Sequence, residues 1–218
     1  MNFFDWNYAW QILPDLLRAS LNTLGITLIG FLIAIVLGLF LAIGRRSRRM
    51  WLSWPATAVI EFIRSTPLLI QVYFLYYVLP NYGVSMTAMQ VGIFGIGLHY
   101  ACYIAEVYRG GLDAVPRAQW EAVTALNMAP YAAYRNIILP QALRPILPPL
   151  GNYLIAMLKD TPVLSAITVV EIMQQAKNIG SESFRYLEPI TMVGLFFLAL
   201  SIVLAYLVRR LEVRLELR

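Results

Sequence analysis

Charged residues interrupt stretches of this sequence that are otherwise long and apolar. Glu61 and Arg64 fall in one such stretch, and Lys159 and Asp160 fall in another. A charge within an apolar membrane segment is costly, so it usually faces a charged partner or a wet cavity. A zwitterionic solute would suit these residues, because its cationic part needs an anion such as Asp160 and its carboxylate needs donors. The candidate residues of a solute pathway are therefore Glu61, Arg64, Thr66, Asp160 and Thr161.

Structural roles compete with this interpretation. Glu61 and Arg64 are three residues apart and share a helical face, so an internal salt bridge that only fixes helix packing is the alternative. Glu106 and Arg109 have the same spacing, and we expect them to form a structural ion pair. His99 is the only histidine, and without accompanying ligands it is expected to be a hydrogen-bonded packing residue and not a metal ligand.

These residues do not favour an enzymatic function. An integral-membrane enzyme would need a cluster of His, Asp or Cys near an interface, and the chain has one His and one Cys, Cys102. A single cysteine also excludes an intramolecular disulfide framework. The sequence has no Walker A motif, so any ATP must be bound by another chain. We expect no cofactor or metal in this chain.

The elements that hold the candidate residues are predicted to be membrane spans. Of the 218 residues, 60% are hydrophobic and only 13% are charged, whereas about a quarter are charged in soluble domains. Because about 20 apolar residues cross the hydrocarbon core, we predict five spans, at residues 19–44, 54–79, 86–108, 143–170 and 189–208. Residues 1–18 are interpreted as an amphipathic lead-in along the membrane surface, and residues 171–188 as a polar connection. Pro67 should kink or break the second span, and Pro145, Pro148 and Pro149 should interrupt the fourth.

The cations predict the orientation. Twelve of the 17 Lys and Arg residues fall on one side of a five-span chain: Arg45, Arg46, Arg48, Arg49, Arg109, Arg117, Arg135, Arg144, Arg209, Arg210, Arg214 and Arg218. By the positive-inside rule this side is cytoplasmic. The prediction is thus an all-α integral membrane protein forming one domain over residues 1–218, with a periplasmic N-terminus and a cytoplasmic C-terminus.

The loop at residues 116–140 is predicted to be two short helices that meet at a bend. Pro116 suits a helix start, and Asn127 occupies the position of a left-handed stop residue. Pro130 can open the second helix, which Leu139 and Pro140 are expected to close. Trp120 and Leu126 are expected to pack the loop against the spans.

The same loop carries a motif. Its Glu121-Ala122-Val123, Asn127, Ile137 and Leu139-Pro140 resemble, in order and spacing, the pattern E-A-A-x-x-x-G-x9-I-x-L-P of the EAA loop of ABC importer permeases. In that family the loop is a coupling helix that docks in a groove of the ATPase subunit. Val123 replaces an alanine, and Asn127 replaces a glycine whose left-handed bend Asn can adopt at modest cost. The resemblance implies an ATPase-coupling surface at Glu121, Ala122, Ala125, Asn127 and Arg135, although Arg135 could instead contact lipid headgroups.

Other segments resemble one subfamily. NTL at 22–24, EFIRSTPLLIQ at 61–71, AEVYRGG at 105–111, LPQA at 139–142, PPLGN at 148–152 and KDT at 159–161 are similar to the polar amino acid uptake permeases (the His/Glu/Gln/Arg type). LSAITVVE at 164–171 and GSESFRYLEP at 180–189 resemble the ectoine and hydroxyectoine permease branch.

These resemblances imply a fold and a function. The fold is that of a type I ABC importer permease, in which two identical or homologous permease chains enclose a path across the bacterial inner membrane. Two ATPase subunits bind ATP and Mg on the cytoplasmic side, and a periplasmic binding protein delivers the solute. The chain itself would be non-catalytic, bind no nucleic acid and work by alternating access. A stand-alone secondary transporter or channel for small zwitterions is the alternative, but it would call for internal repeats, and none is found.

Overall fold

The computed structural model describes residues 4–216, and these residues form helices and turns without a strand. Residues 1–3 and 217–218 lie outside the described part, so the start of the predicted lead-in and Arg218 are not described. We call the end of the bundle where Arg45 and Arg46 lie the cation-rich end, and the end where Asp5 lies the opposite end.

Helix α1 runs over Trp6–Arg45 and is 40 residues long. The Asp5 carboxylate starts it by accepting hydrogen bonds from the backbone N–H groups of Asn7 at 3.0 Å and Tyr8 at 3.2 Å, which satisfies donors that have no partner within the helix. The predicted lead-in and first span are therefore one continuous helix. Ser20 lies inside this helix, and its hydroxyl donates a hydrogen bond to the carbonyl of Leu17 at 2.7 Å.

Helices α2 (Met50–Arg64) and α3 (Leu68–Tyr73) are separated at Pro67. The axis of α2 and that of the segment Leu68–Tyr82, which begins with α3, differ by 107°, because Pro67 has no N–H and takes extended backbone angles. The predicted break in the second span is thus confirmed. The chain continues through a π turn (Phe74–Val78) and a 3₁₀ turn (Leu79–Tyr82) to Gly83, whose φ of 83° favours glycine.

Helix α4 (Ala88–Asp113) is the centre of the bundle. Thr87 and Gln90 form a capping box at its start. It packs along α1 at small residues: a Cβ on Gly38 would lie 2.9 Å from the carbonyl oxygen of Ala101. The main core lies between these helices and the far end of α7, and it includes Ile26, Ala34, Ile96, Ile104, Met157 and Leu164.

Three further helical segments follow: α5 (Arg117–Ala125), α6 (Pro130–Ala133) and α7 (Leu139–Asp160). The prediction that Leu139 and Pro140 close a helix is wrong, because a π turn (Tyr134–Ile138) joins α6 to α7 without a stop. In this wider turn the N–H of Leu139 bonds to the carbonyl of Tyr134, five residues back, so the chain remains helical up to Pro140, which occupies the first turn of α7.

Pro145, Pro148 and Pro149 do not interrupt the fourth span as expected, since all three lie inside α7. A 3₁₀ segment (Thr161–Ile167) follows and ends at Thr168, whose φ is 61°. The predicted polar connection also contains a helix, α8 (Ile172–Ser183). Its Ile172 and Ala176 are fully buried and lie in one apolar cluster with Ile12 and Leu16.

Helix α9 (Leu187–Glu216) completes the described chain. Within residues 4–216, three helices are long and apolar enough to cross a membrane alone: α1, α4 and the stretch Leu187–Arg210 of α9. Two bent pairs raise this number to as many as five, one around Pro67 and one joining Pro130–Ile167 to α8 at 46°. Each of the five predicted spans overlaps one of these candidate units.

Candidate functional site

Polar side chains of α2, α3, α4 and α7 lie close together, buried or partly buried except for Arg64, which is exposed. We call this set the polar cluster; its members are Arg64, Gln71, His99, Tyr100, Tyr103, Tyr153 and Asp160. Each contacts another member through a hydrogen bond or a ring. The cluster contains two of the predicted pathway residues and five residues that were not predicted as such.

The break at Pro67 creates one part of the cluster. It leaves carbonyl groups at the end of α2 without their regular i+4 partners. The amide nitrogen of Gln71 donates to two of them, Ile63 at 2.7 Å and Thr66 at 3.0 Å. The amide oxygen of Gln71 lies 3.0 Å from Nδ1 of His99. His99 is therefore a buried, hydrogen-bonded packing residue, as predicted.

Asp160 is held by a tyrosine of the central helix. The hydroxyl of Tyr100 donates a hydrogen bond to Oδ2 of Asp160 at 2.7 Å. Asp160 is the last residue of α7 and is partly exposed. Because Tyr100 uses one carboxylate oxygen, Oδ1 of Asp160 has lone pairs left to accept from a cationic group.

Arg64 lies against a second tyrosine of the central helix, Tyr103. Its guanidinium carbon is 5.4 Å from the centroid of the Tyr103 ring, a distance typical of a cation–π contact. Tyr103 lies 6.2 Å from Tyr100 and 5.8 Å from Tyr153, measured between ring centroids. Arg64 and Asp160 therefore flank one patch of tyrosine rings, with a cationic donor on one side and an anionic acceptor on the other.

The other predicted pathway residues make different contacts. Glu61 does not pair with Arg64 as the alternative supposed; it lies 3.0 Å from Nη1 of Arg45 on α1. Thr66 already donates to carbonyl groups of its own helix and accepts from Gln71 at 2.8 Å. Thr161 is fully buried, and its hydroxyl donates to the carbonyl of Leu158 at 2.8 Å. Lys159 is exposed.

A chain of ion pairs crosses the cation-rich end. Nη1 of Arg45 contacts Glu61 at 3.0 Å and Glu106 at 2.7 Å. Arg109 then contacts Glu106 at 2.9 Å, which confirms the predicted ion pair, and Asp113 at 3.1 Å. Oδ1 of Asp113 is 2.7 Å from Nη1 of Arg46. We call this set the ion-pair chain; it joins α1, α2 and α4.

The loop formed by α5 and α6 lies at the same end. Val123 and Ala133 are buried on its inner side, and Trp120 packs against the cluster of Val115, Ile138, Ala142 and Ile146. Trp120 also meets the ring of Tyr134 at 5.6 Å. Asn127 has a φ of 47°, so the predicted left-handed bend is confirmed.

The outer side of this loop contains most of the predicted coupling residues. Glu121, Ala122, Ala125 and Arg135 are exposed, and the guanidinium of Arg135 donates to the hydroxyl of Tyr131 at 3.1 Å. The prediction that Leu126 packs inward is wrong: it is 71% exposed, because the bend at Asn127 begins immediately after it. Leu126 and Tyr131 thus add apolar surface to an exposed polar face.

The tyrosines were missed as site residues for a clear reason. Tyr100, Tyr103 and His99 lie on an aromatic-rich helix, where packing explains them equally well. A signal was nevertheless present, since Tyr100 and Tyr103 have the i, i+3 spacing that places two side chains on one helical face. Only their proximity to Tyr153 and Asp160 distinguishes them from ordinary core residues.

A pocket of about 290 Å³ opens beside Thr66 and Gln71. Apart from these two residues its lining is apolar, with Phe62, Ile63, Ile70, Phe74, Leu75, Gly95 and Leu98. A polar solute would lose hydration there without gaining partners. The pocket therefore suits a lipid chain or a neighbouring helix better than a zwitterion.

Comparison with known proteins identifies relatives of this chain. The family model for the inner membrane component of binding-protein-dependent transport systems matches residues 34–217. The probable amino-acid ABC transporter permease y4tG of Sinorhizobium fredii is 47% identical over 211 residues, covering 97% of this chain and 91% of y4tG. The glutamine transport system permease GlnP of Escherichia coli is 34% identical over 216 residues, covering 98% and 99%.

A solved structure agrees with the sequence relatives. The crystal structure of an amino acid ABC transporter with histidines superposes with a TM-score of 0.92 at 32% identity, over 97% of this chain and 99% of that one. The apolar helices, the bent loop at the cation-rich end and the sequence relatives all indicate the same family. The chain belongs to the inner membrane components of binding-protein-dependent transport systems, and it is a permease subunit of an ABC importer for amino acids.

Proposed function

We propose that this permease carries a small zwitterion, a polar amino acid or a compatible solute such as ectoine or hydroxyectoine, past the polar cluster. The observation that carries the proposal is that Arg64 and Asp160 flank one patch of tyrosine rings. A zwitterion has one charge for each of them. Arg64 can bind a carboxylate through two N–H groups, while Asp160 and the tyrosine faces attract a cationic group.

The other candidate residues have supporting roles in this proposal. Thr66 and Gln71 hold the broken end of α2 and thereby position Arg64. Thr161 borders Asp160 and can reach a solute only if its bond to Leu158 opens. Glu61 belongs to the ion-pair chain, so its effect on the pathway is exerted through Arg45.

We further propose that the cation-rich end is cytoplasmic, with five spans and an outward N-terminus. A second permease chain, identical or homologous, completes the translocation path in the bacterial inner membrane. The exposed face of α5 and α6, with Glu121, Ala122, Ala125, Asn127 and Arg135, docks on an ATPase subunit that binds ATP and Mg. The small side chains of Ala122 and Ala125 allow close approach, and Leu126, which is 71% exposed, adds an apolar contact.

The test is solute-stimulated ATPase activity of the reconstituted complex with its binding protein and ATPase subunits. Ectoine, glutamine, histidine and arginine are compared at equal concentrations. Stimulation by ectoine alone supports the compatible-solute assignment, whereas stimulation by an ordinary amino acid restricts the proposal to amino acids. Solute uptake by the chain without an ATPase would overturn the proposal and favour a stand-alone transporter.

A further inference from the structure

The turn between α8 and α9 presents an unusually exposed aromatic residue. Phe184 is 90% exposed, more than any other large hydrophobic residue whose exposure is described. It follows the last residue of α8 directly and lies at the opposite end of the bundle, where the chain approaches Asp5. Exposure of this degree means that almost no part of the ring packs on the protein.

The backbone at Phe184 is strained as well. Its φ of 56° and ψ of 25° are left-handed, a conformation that glycine normally supplies after a helix. A bulky residue there clashes with its own backbone. The fold therefore maintains a costly conformation that contributes no packing inside the described chain, and such strain is typical of residues with a binding role.

The neighbouring residue is held firmly. The Arg185 guanidinium lies 4.3 Å from the centroid of the Tyr8 ring and contacts Asp5 at 3.5 Å, and it also pairs with Glu188. Glu188 accepts a hydrogen bond from the backbone of Asp5 at 3.2 Å. The pKa of the Asp5 carboxyl is lowered, first by the hydrogen bond from the Tyr8 backbone and further by Arg185, so the carboxylate stays ionised. These contacts tie the turn to the start of α1.

The turn is fixed from its other side too. The hydroxyl of Ser183 donates to the carbonyl of Ile179 at 2.7 Å and accepts from the backbone N–H of Arg185 at 3.3 Å. The ring of Tyr186 covers Gly180 so closely that a Cβ there would collide with it. The backbone of Phe184 is thus held at a fixed place by its neighbours, which reduces the backbone entropy lost on binding.

We propose that Phe184 is the anchor by which the solute-binding protein docks on this permease, its ring entering an apolar pocket of that protein. The inference rests on the proposed function, because it requires the opposite end to face the compartment of the binding protein. An exposed aromatic ring on a fixed backbone, with the half-exposed Tyr186 and Leu187 beside it, has the composition of an interface hot spot.

The surroundings favour a soluble protein over the bilayer as the occupant. Ser181 and Glu182 precede the ring and are exposed, and the partly exposed Arg185 follows it, paired with the buried Glu188. The apolar run of α9 starts only after Glu188. A ring inserted in hydrocarbon would draw these charged neighbours toward it, which is unfavourable. A polar rim around an apolar anchor is, in contrast, ordinary for a protein–protein contact.

The experiment measures the concentration of purified, solute-loaded cognate binding protein that half-saturates the ATPase of the complex in nanodiscs. We expect Phe184→Ala and Phe184→Gly to raise this concentration at least about tenfold. Glycine adopts the left-handed conformation without strain, so Phe184→Gly should keep or raise the thermal unfolding midpoint and thereby show that the fold is intact. The matched control is Tyr82→Ala, which removes a ring that is 76% exposed from another turn and should leave the value unchanged.

An unchanged half-saturating concentration in Phe184→Gly overturns the proposal. Quenching by brominated lipids of the emission that Phe184→Trp adds to that of the five native Trp residues overturns it as well. Failure of the proposed function has a different signature, because the wild-type complex would then show no stimulation by the binding protein at any concentration. Labelling of Ser181→Cys with a membrane-impermeant maleimide checks the orientation separately. The background is low, since the single cysteine, Cys102, is buried.

Discussion

The guanidinium carbon of Arg46 lies 5.7 Å from the centroid of the Trp120 ring. This contact joins the segment directly after α1 to α5 of the exposed loop. Arg46 also ends the ion-pair chain, through Asp113 at 2.7 Å, so the loop is linked through one arginine to charges on α1, α2 and α4. A displacement of α5 by an ATPase subunit would therefore act directly on these helices.

Replacing this arginine should weaken coupling. Arg46→Ala removes a cation–π contact of about 0.5–1 kcal/mol and an exposed ion pair of about 0.2–1 kcal/mol. We expect solute-stimulated ATPase activity of the reconstituted complex to fall about three- to thirtyfold, the range that these energies imply.

Two variants control this experiment. Arg46→Lys keeps the charge but loses the planar stack on Trp120, so its activity should be intermediate. Arg48→Ala removes an exposed arginine from the same short connection and should behave as wild type. Equal losses in Arg46→Ala and Arg48→Ala would contradict a specific role for the Trp120 contact.

A charge reversal on the exposed face of α5 should uncouple transport. We expect Glu121→Arg to abolish solute uptake while the protein remains inserted in the membrane, because the exposed carboxylate of Glu121 would be replaced by a longer cation at the proposed ATPase contact. Uptake into cells or proteoliposomes measures the effect, and Glu121→Gln, which keeps the size of the side chain, should lose less. Normal uptake in Glu121→Arg would refute the coupling assignment.

The charge of Asp160 should matter more than its hydrogen bond. Asp160→Asn keeps a partner for the Tyr100 hydroxyl but removes the anion, and hydrogen bonds to charged groups contribute about 1.5–3 kcal/mol. Affinity of the permease complex for a radiolabelled solute, measured without binding protein, should fall about 10- to 100-fold. Tyr100→Phe keeps the charge and the ring and should reduce affinity less. Equal affinity of Asp160→Asn and wild type would exclude Asp160 from the solute site.

The α1–α4 contact should respond to one added methyl group. A Cβ at Gly38 would lie 2.9 Å from the carbonyl of Ala101, whereas a Cβ at Gly25 meets nothing within 4 Å. Gly38→Ala should therefore destabilise the protein by about 1–3 kcal/mol through overpacking. Gly25→Ala is the matched control on the same helix and should be neutral or slightly stabilising. Thermal unfolding midpoints in detergent measure both, and identical midpoints would show that α1 can move away without cost.

Several turns were predicted correctly because they depend on the residue at the turn itself. Pro67 lacks an N–H, and Asn127 tolerates a φ of 47° better than most residues. Leu139 and Pro140 were misjudged because the wider π turn before them is a property of the whole segment and has no signature in one residue. Helix α8 was missed because its polar composition resembles a loop, while its stability comes from Ile172 and Ala176 packing against another helix.

The sequence by itself determined where the apolar segments lie, which of them contain charges, and which loop contains a bend. These properties follow from composition and periodicity along the chain. Only the tertiary structure decided which charges meet: Glu61 pairs with Arg45 on α1, and Asp160 accepts from Tyr100, a residue 60 positions away. Helical periodicity specifies the face on which a side chain lies, but its partner depends on which helix packs against that face and at what height.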